Sequence, residues 1–238
     1  MARQKQPPQQ PPPALKLVLR YAKRGRMRFT SHRDFARVFE RALRRAGVPL
    51  ALSSGFHPHP RISYANPAPT GALSEAEFVE IGLSERRDPS DVVEALNAHL
   101  PEGFVVLEAG ESAVSSLTRF LDGSRWEAVV EEADAAIVAP ASIDRYLAAD
   151  EALATRLTKN GERTFDTRPA VLNLTTTGDR TCAMTLRHEE PLVRPDDVVA
   201  AAAGLLGHTL TSPPLLKRTG HGHLDAEGTL TSPLRQPE

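Results

Sequence analysis

Two histidines alternate with prolines in the segment 55–61, GFHPHPR, which is the most unusual local stretch of the chain. A residue before proline is held in extended geometry, and in an extended backbone His57 and His59 point to the same side. Imidazoles placed in this way serve as metal ligands, as general acids or bases, or as contacts to phosphate. A zinc site needs a third and usually a fourth ligand. Only His32 is a possible third ligand, so we predict no metal site. Two interpretations stay open: a stiff loop whose histidines bond the backbone, or a recognition loop in which His59 and Arg61 meet a ligand.

Five arginines share one side of the helix that the sequence predicts after Ser31. They are Arg33, Arg37, Arg41, Arg44 and Arg45. An ordinary surface helix mixes its charges, because like charges four residues apart repel each other. The segment 16–45 carries eleven basic residues and two acidic ones, whereas the whole chain has a net charge of −1. This polarity predicts a surface for a polyanion or an acidic partner. The alternative is a solvated face whose long side chains shield the apolar side of the helix.

The same helix has clear start and stop signals. Ser31 followed by Asp34 has the form of a capping box. Apolar residues recur at helical spacing from Phe35 to Ala46, and Gly47 follows as a stop.

Further basic candidates lie in the second half of the chain. Arg168 follows a hairpin that the Asn160-Gly161 turn predicts, and Lys217 and Arg218 end the last predicted strand. Nearer the helix, 27–29 is predicted as a short strand and 50–53 as the start of another.

Composition excludes several classes of protein. The single cysteine, Cys182, excludes an internal disulfide and an iron–sulfur cluster that this chain ligates alone, and we interpret it as a core residue. No run approaches the ~20 apolar residues of a membrane span. The start of the chain has no apolar signal region, so we expect a cytoplasmic protein. Neither a phosphate-binding loop nor a nucleophile elbow occurs, and we expect no cofactor and name no catalytic residue.

The order of predicted elements defines the organisation of the chain. Residues 15–111 read as strand, helix, strand, strand, helix, strand, which is the order of the ferredoxin-like plan. After a linker at 112–123, residues 124–219 repeat the order less clearly. The glutamine- and proline-rich segment 1–14 and the polar segment 220–238 are predicted to be disordered tails. The predicted class is therefore α+β, with two ferredoxin-like halves.

Several long motifs resemble a known family. They are LRYAKRGRMRFTSHRDFARVFERALRRAG, SSGFHPHPRISYANPAPTGALSEAEFVEIGL, ERTFDTRPAVLNL and LKRTG. Together they are similar to the bacterial radical-SAM-linked protein family, a domain of unknown function found beside, or fused to, a B12-binding-type radical SAM protein. The likeness covers residues 14–219 and implies a radical SAM protein as partner, without an established reaction. Family members often have asparagine where this chain has His57, which argues further against a metal pair and leaves His59 as the better functional candidate.

The favoured hypothesis is a non-catalytic accessory protein of a radical SAM enzyme. It would bind that enzyme, its RNA substrate or both through the arginine-rich helix and the His59 loop, because the planar arginine fork bonds phosphate or carboxylate bidentately. Aromatic motifs of the RNP type are absent, which argues against sequence-specific single-strand binding and leaves backbone or shape recognition open.

Two alternatives stay open. The first is an enzyme with a polar site between the two halves, which would use Ser31, His32, Asp34, His59 and Asp166. Helix capping already accounts for Ser31 and Asp34, so this hypothesis is less favoured. The second is a scaffold without a nucleic acid role, in which the basic face meets an acidic surface of the partner.

Overall fold

A computed structural model of the chain describes residues 9–159 and 161–234. Their contacts divide them into two units. Unit 1 holds residues up to 70, 76–120 and those from 232, and unit 2 holds 71–75 and 121–231. Helices and strands occur in both units, so the predicted α+β class is confirmed. No helix within the described ranges is long and apolar enough to cross a membrane.

The elements of unit 1 follow the predicted order. They are β1 (Leu15–Lys23), a short 3₁₀ helix (Gly25–Phe29), α1 (His32–Arg45), β2 (Ile62–Ala65), β3 (Leu73–Leu83), α2 (Pro89–Asn97), β4 (Phe104–Glu111) and α3 (Leu117–Phe120). The strands lie in the order β4-β1-β3-β2, with β4 antiparallel to β1 and β2 antiparallel to β3. The two strands that α1 connects therefore flank β3. The ferredoxin-like plan stays an interpretation of this strand order.

α1 is held by an apolar stripe that packs on the sheet of unit 1. Phe35, Phe39, Ala42 and Leu43 are buried in one core with the alternate residues of β1 and β3. The ring of Phe35 stacks on Tyr21 at a centroid distance of 4.4 Å. Since four residues at helical spacing are buried on one side, the opposite side of α1 faces solvent.

The ends of α1 follow the sequence signals. The hydroxyl of Ser31 accepts a hydrogen bond from the backbone N–H of Asp34 at 3.2 Å. The carboxylate of Asp34 accepts from the Ser31 hydroxyl at 2.7 Å, instead of from a backbone N–H as a full capping box would have it. Gly47 follows the helix with φ +63°, the left-handed conformation typical of a helix stop.

The elements of unit 2 also alternate between helix and strand. They are β5 (Gly123–Val129), a 3₁₀ helix (Glu132–Val138), α4 (Pro140–Ala148), β6 (Leu153–Thr158), β7 (Gly161–Asp166), a 3₁₀ turn (Arg168–Ala170), β8 (Val171–Gly178), β9 (Thr181–Arg187), α5 (Pro195–Leu205), β10 (Leu215–Leu224) and β11 (Leu230–Thr231). Four strands form an antiparallel sheet in the order β10-β5-β9-β8. β6 and β7 form the predicted hairpin as a separate antiparallel pair, although Asn160 of its turn lies outside the described residues.

Two short strands predicted near α1 are wrong. The predicted strand 27–29 belongs to the 3₁₀ helix, because Met27 N–H bonds Arg24 O at 3.1 Å and Thr30 N–H bonds Met27 O at 3.0 Å. The predicted strand 50–53 is reduced to isolated bridges from Leu50 and Leu52. Its last residue, Ser53, bonds within its own loop instead of joining a sheet.

The predicted linker and tails are more ordered than expected. The linker segment 112–123 contains α3, and Leu117 and Leu121 are buried. Residues 220–224 continue β10 and pair with β11, so the prediction of a disordered tail from Gly220 is wrong for them. At the other end, Ala14 N–H bonds Leu83 O at 2.8 Å, so the end of the predicted N-terminal tail contacts unit 1. Residues 1–8 and 235–238, the outer parts of both tails, lie outside the described residues.

Asp134, which is fully buried, anchors the segment after α5 in unit 2. Its carboxylate accepts hydrogen bonds from His208 Nε2 at 3.0 Å and from the backbone N–H and hydroxyl of Thr211 at 3.1 and 2.7 Å. These hydrogen bonds hold the pKa of Asp134 below its usual range, and the bond from His208 has the largest effect.

The pKa of Asp134 predicts a pH-dependent contribution to stability. A carboxyl with a lowered folded-state pKa adds stability above its unfolded pKa of about 4 and loses it as the pH falls through the folded value. We expect Asp134→Asn to lower the free energy of unfolding at neutral pH, and the difference from the parent to shrink below about pH 4. Urea titrations followed by fluorescence of Trp126, the only tryptophan, measure this. A difference that stays constant with pH would contradict the prediction.

Candidate functional site

The five predicted arginines of α1 form one exposed surface, which we call the arginine face. All five, Arg33, Arg37, Arg41, Arg44 and Arg45, are exposed. At about 100° per residue they occupy the arc opposite Phe35 and Phe39, and Arg33 and Arg44 are about 16 Å apart along the axis. The arginine face is therefore a basic strip on a helix whose other side is fixed in a core.

Positive charge on the arginine face is largely uncompensated. Arg37 lies 3.6 Å from the carboxylate of Asp34. Glu40 is half-buried on the side of Tyr64, and the pKa of Tyr64 is raised first by burial and then by the negative charge of Glu40. The other four arginines have no carboxylate within ion-pair distance in the part of the chain that the structure describes. An anionic ligand could therefore bind these arginines without first breaking an ion pair.

The segment before α1 adds a cation and an exposed ring. Phe29 ends the 3₁₀ helix two residues before the cap Ser31, and 60% of its surface is exposed. The guanidinium carbon of Arg28 lies 4.6 Å from the centroid of the Phe29 ring. The predicted strand at 27–29 gave no indication that the Phe29 ring is exposed. The signal that could have found it is an aromatic residue placed between a run of cations and a helix cap.

Hydrogen bonds brace the loop that carries the two histidines. Ser53 N–H bonds His59 O at 2.8 Å, and His59 N–H bonds the Ser53 hydroxyl at 3.0 Å. Nε of Arg61 donates to Leu52 O at 3.0 Å. Both His57 and His59 are exposed, so the predicted stiff loop presents its imidazoles to solvent. We call residues 53–61 the His/Pro loop.

Phe56 is the second exposed ring, at 67% exposure. It follows Gly55, whose φ of +133° allows the sharp turn into the exposed segment. The base of the His/Pro loop and the segment that follows α1 both contact the last residues of β3. Ala51 N–H bonds Gly82 O at 2.8 Å, and Leu50, which comes five residues after α1, bridges to Leu83.

Residues 16–195 match the model of a family described as an uncharacterized protein conserved in bacteria, DUF2344. The chain belongs to this family. No curated protein matches it. The matched range contains the whole arginine face and the His/Pro loop, whereas Lys217 and Arg218 lie beyond it.

Two predicted contact residues of this DUF2344 protein have structural partners instead of exposed positions. The guanidinium of Arg168 donates to the backbone oxygens of Leu147 at 3.3 Å and Val171 at 3.0 Å. Arg218 is 4% exposed, and its guanidinium carbon lies 4.8 Å from the ring centroid of Trp126. The sequence showed only their charge, whereas the surroundings of Arg218 follow from the pairing of β10 with β5, which places it opposite Trp126. Lys217, its neighbour on β10, is half-buried.

Local hydrogen bonds account for three of the five residues of the enzyme hypothesis, whereas His32 and His59 are exposed. Ser31 and Asp34 cap α1. The carboxylate of Asp166 accepts from the backbone N–H groups of Ala152 at 2.9 Å and Arg168 at 3.0 Å. Across the described ranges, no group of three or more histidine, cysteine or acidic residues could hold a metal ion. The enzyme hypothesis stays a prediction.

A serine–histidine pair in unit 2, in which the serine is buried and the histidine half-buried, was missed by sequence reasoning, because its members are 64 residues apart. His188 Nδ1 donates to Leu121 O at 3.0 Å, so Nε2 accepts from the Ser124 hydroxyl at 2.8 Å. Burial, and then the charge of Arg218, lower the pKa of His188, which keeps the ring neutral. Ser124 is 1% exposed and also accepts from Trp126 Nε1. The Ser124 hydroxyl therefore links His188 to Trp126 and is closed off from solvent.

Cys182 is a core residue, as predicted. It is 1% exposed on β9, and burial raises the pKa of its thiol to about 12. A thiol with such a pKa carries almost no thiolate at neutral pH and is a poor nucleophile.

Proposed function

We propose that this DUF2344 protein is a non-catalytic binding module whose arginine face holds the phosphates of an RNA. The observation that carries the proposal is that four exposed arginines of α1 lack a carboxylate partner among the described residues. Arginine forks bond phosphate oxygens bidentately, and repulsion between neighbouring guanidinium groups is relieved when an anion binds.

The firm packing of α1 on the core favours a ligand-binding surface over a merely solvated helix face. Because Phe39 and Leu43 are at most 1% exposed, the backbone that carries the arginines is fixed before a ligand arrives. A fixed backbone lowers the entropy that binding costs, so several weak phosphate contacts add up. The His/Pro loop, which follows α1 in the chain, is proposed as a second contact through His59 and Arg61.

The proposed partner enzyme is a radical SAM protein. Its support is the resemblance of the long motifs around α1 and the His/Pro loop to a radical-SAM-linked family. In this proposal the partner supplies the chemistry, and this chain binds the partner, the RNA or both. If the RNA test fails, the scaffold alternative remains. In that alternative the arginine face docks on an acidic protein surface.

RNA binding is tested by fluorescence anisotropy of labelled small RNA against salt concentration. If the arginine face makes about five phosphate contacts, the logarithm of affinity falls with the logarithm of salt concentration at a slope of about −3.5. That slope corresponds to about a hundredfold loss between 50 and 200 mM salt. We expect the triple variant Arg37→Glu, Arg41→Glu, Arg44→Glu to weaken binding and to flatten the slope.

A second triple variant controls for net charge. Arg86, Arg87 and Arg187 are exposed and ion-paired with carboxylates at other places, so changing them to glutamate alters the net charge equally but leaves α1 intact. We expect this control to bind RNA nearly as the parent does. Equal losses in both triple variants, or no binding by the parent at low salt, would overturn the proposal. In the second case an acidic protein partner becomes the ligand to test.

A further inference from the structure

The two exposed phenylalanine rings of unit 1 lie on either side of α1 along the chain. Phe29 precedes the cap of α1 by two residues, and Phe56 lies in the His/Pro loop, whose base meets the end of β3 beside Leu50. Single exposed apolar residues are common on protein surfaces and carry no meaning alone. These two differ because both are aromatic rings on the segments that border α1 in the chain: Arg28 contacts the ring of Phe29, and the exposed His57 follows Phe56.

Both rings stand on backbone that is held in place. The 3₁₀ helix below Phe29 is tied to the start of β4, where Arg24 N–H bonds Gly103 O at 2.7 Å. A side chain at Gly103 would collide with Met27, so the two segments pack closely. The loop below Phe56 is closed by the two bonds between Ser53 and His59. An aromatic ring on fixed backbone loses little conformational entropy when a flat group stacks on it.

We propose that the RNA is bound as an unpaired strand, with bases stacked on Phe29 and Phe56 while its phosphates follow the arginine face. This inference rests on the proposed function and names the form of its ligand. α1 is about 21 Å long, a span that several nucleotides of a single strand can cover. In this arrangement the arginines bind the phosphate backbone of the RNA, and the phenylalanine rings bind its bases.

The rings distinguish an unpaired strand from a duplex. In a duplex the bases are already stacked on one another, and protein contacts go to phosphates and sugars across the minor groove. In a single strand every base has a free face, and stacking on an aromatic side chain is tolerant of sequence. The inference therefore predicts preference for single strands with little preference for sequence, in agreement with the absence of RNP motifs.

The experiment compares three polyanions on the whole chain by competition anisotropy. They are an unstructured RNA of about twelve nucleotides, the duplex of the same sequence, and heparin, which carries charge without bases. The protein variants are Phe29→Ala, Phe56→Ala and the double variant, with Leu157→Ala as control, because Leu157 is 80% exposed on β6. We expect each phenylalanine variant to weaken single-strand binding about tenfold and to leave heparin binding and the salt slope unchanged.

A fluorescent base analogue in the same RNA gives a direct readout of stacking. We expect its emission to be quenched by the parent and by Leu157→Ala, and to recover with the double variant. Circular dichroism confirms that the variants fold, as their exposed positions predict.

The outcomes separate the inference from the proposed function. If RNA binds and the arginine variant weakens it but the double phenylalanine variant does not, stacking is overturned and the arginine face remains the RNA site. If duplex and single strand bind equally, the preference for an unpaired strand is overturned. If RNA does not bind at low salt, whether or not heparin does, the proposed function fails, and the inference fails with it.

Discussion

Replacing Phe39 by alanine is expected to destabilise unit 1 by about 3–5 kcal/mol, because a buried ring is lost and a cavity is left. Phe39 is 1% exposed, and its ring lies 5.5 Å from that of Phe35 and 6.3 Å from that of Tyr64. Such a loss is a large share of the stability of a domain. Hydrogen exchange of the α1 amides measures it, since weaker packing raises the rate at which this helix opens.

Phe29→Ala is the matched control for Phe39→Ala. The two positions are ten residues apart in the same region, but 60% of Phe29 is exposed. We expect Phe29→Ala to leave α1 exchange nearly unchanged, since surface substitutions rarely change stability by more than about 0.5 kcal/mol. If Phe39→Ala left α1 protection unchanged, the apolar stripe would not be what fixes the arginine face.

Replacing Asp197 by alanine is expected to destabilise unit 2 by about 3 kcal/mol, because it breaks a largely buried ion pair. Its carboxylate, 7% exposed, pairs with Arg156, 24% exposed, which reaches it from β6. The same carboxylate accepts from the backbone N–H of Arg194 at 2.7 Å and so caps α5. Removing Asp197 leaves the guanidinium of Arg156 with a weaker set of partners and uncaps the helix. Urea unfolding followed by Trp126 fluorescence measures the change, because Trp126 is buried in β5.

The neighbouring Asp196 provides the control for the Asp197 variant. Among the described residues, its Oδ1 is buried and has no hydrogen-bond partner. Burial, and then the charge of Asp197, raise the pKa of Asp196. A carboxyl with a raised folded-state pKa gives stability below its unfolded pKa and loses it as the pH rises through the folded value, so its ionisation costs stability at neutral pH. We expect Asp196→Asn to be as stable as the parent or more stable at pH 7. A loss equal to that of Asp197→Ala would show that the ion pair is not the cause.

Local signals along the sequence predicted α1 correctly. Ser31, the apolar spacing from Phe35 to Ala46, and Gly47 act through bonds and contacts a few residues apart, so a sequence window contains the information. The five exposed arginines follow from the same periodicity, because a helix with one buried side must expose the other. The α+β class and the hairpin of β6 and β7 were predicted for the same reason.

Glycine was the main source of error in the predicted C-terminal tail. Gly220 and Gly222 belong to a segment whose composition is typical of a disordered tail, yet both lie in β10. A side chain at Gly222 would collide with the backbone of Thr231, so glycine here allows β11 to approach closely. A glycine that permits close packing and a glycine in a flexible tail look the same in a sequence, because the partner strand is what distinguishes them.

Local sequence signals sufficed for the boundaries of α1, for the side of α1 that carries the arginines, and for the mixed helix and strand composition. Which cations and rings reach solvent depends on the tertiary structure. Arg218 is buried on Trp126 and Arg168 bonds backbone oxygens, whereas Phe29 and Phe56 are exposed. The physical reason is that burial depends on pairing between strands far apart in the chain, and a residue's charge or hydrophobicity does not reveal which neighbours the sheet will bring to it.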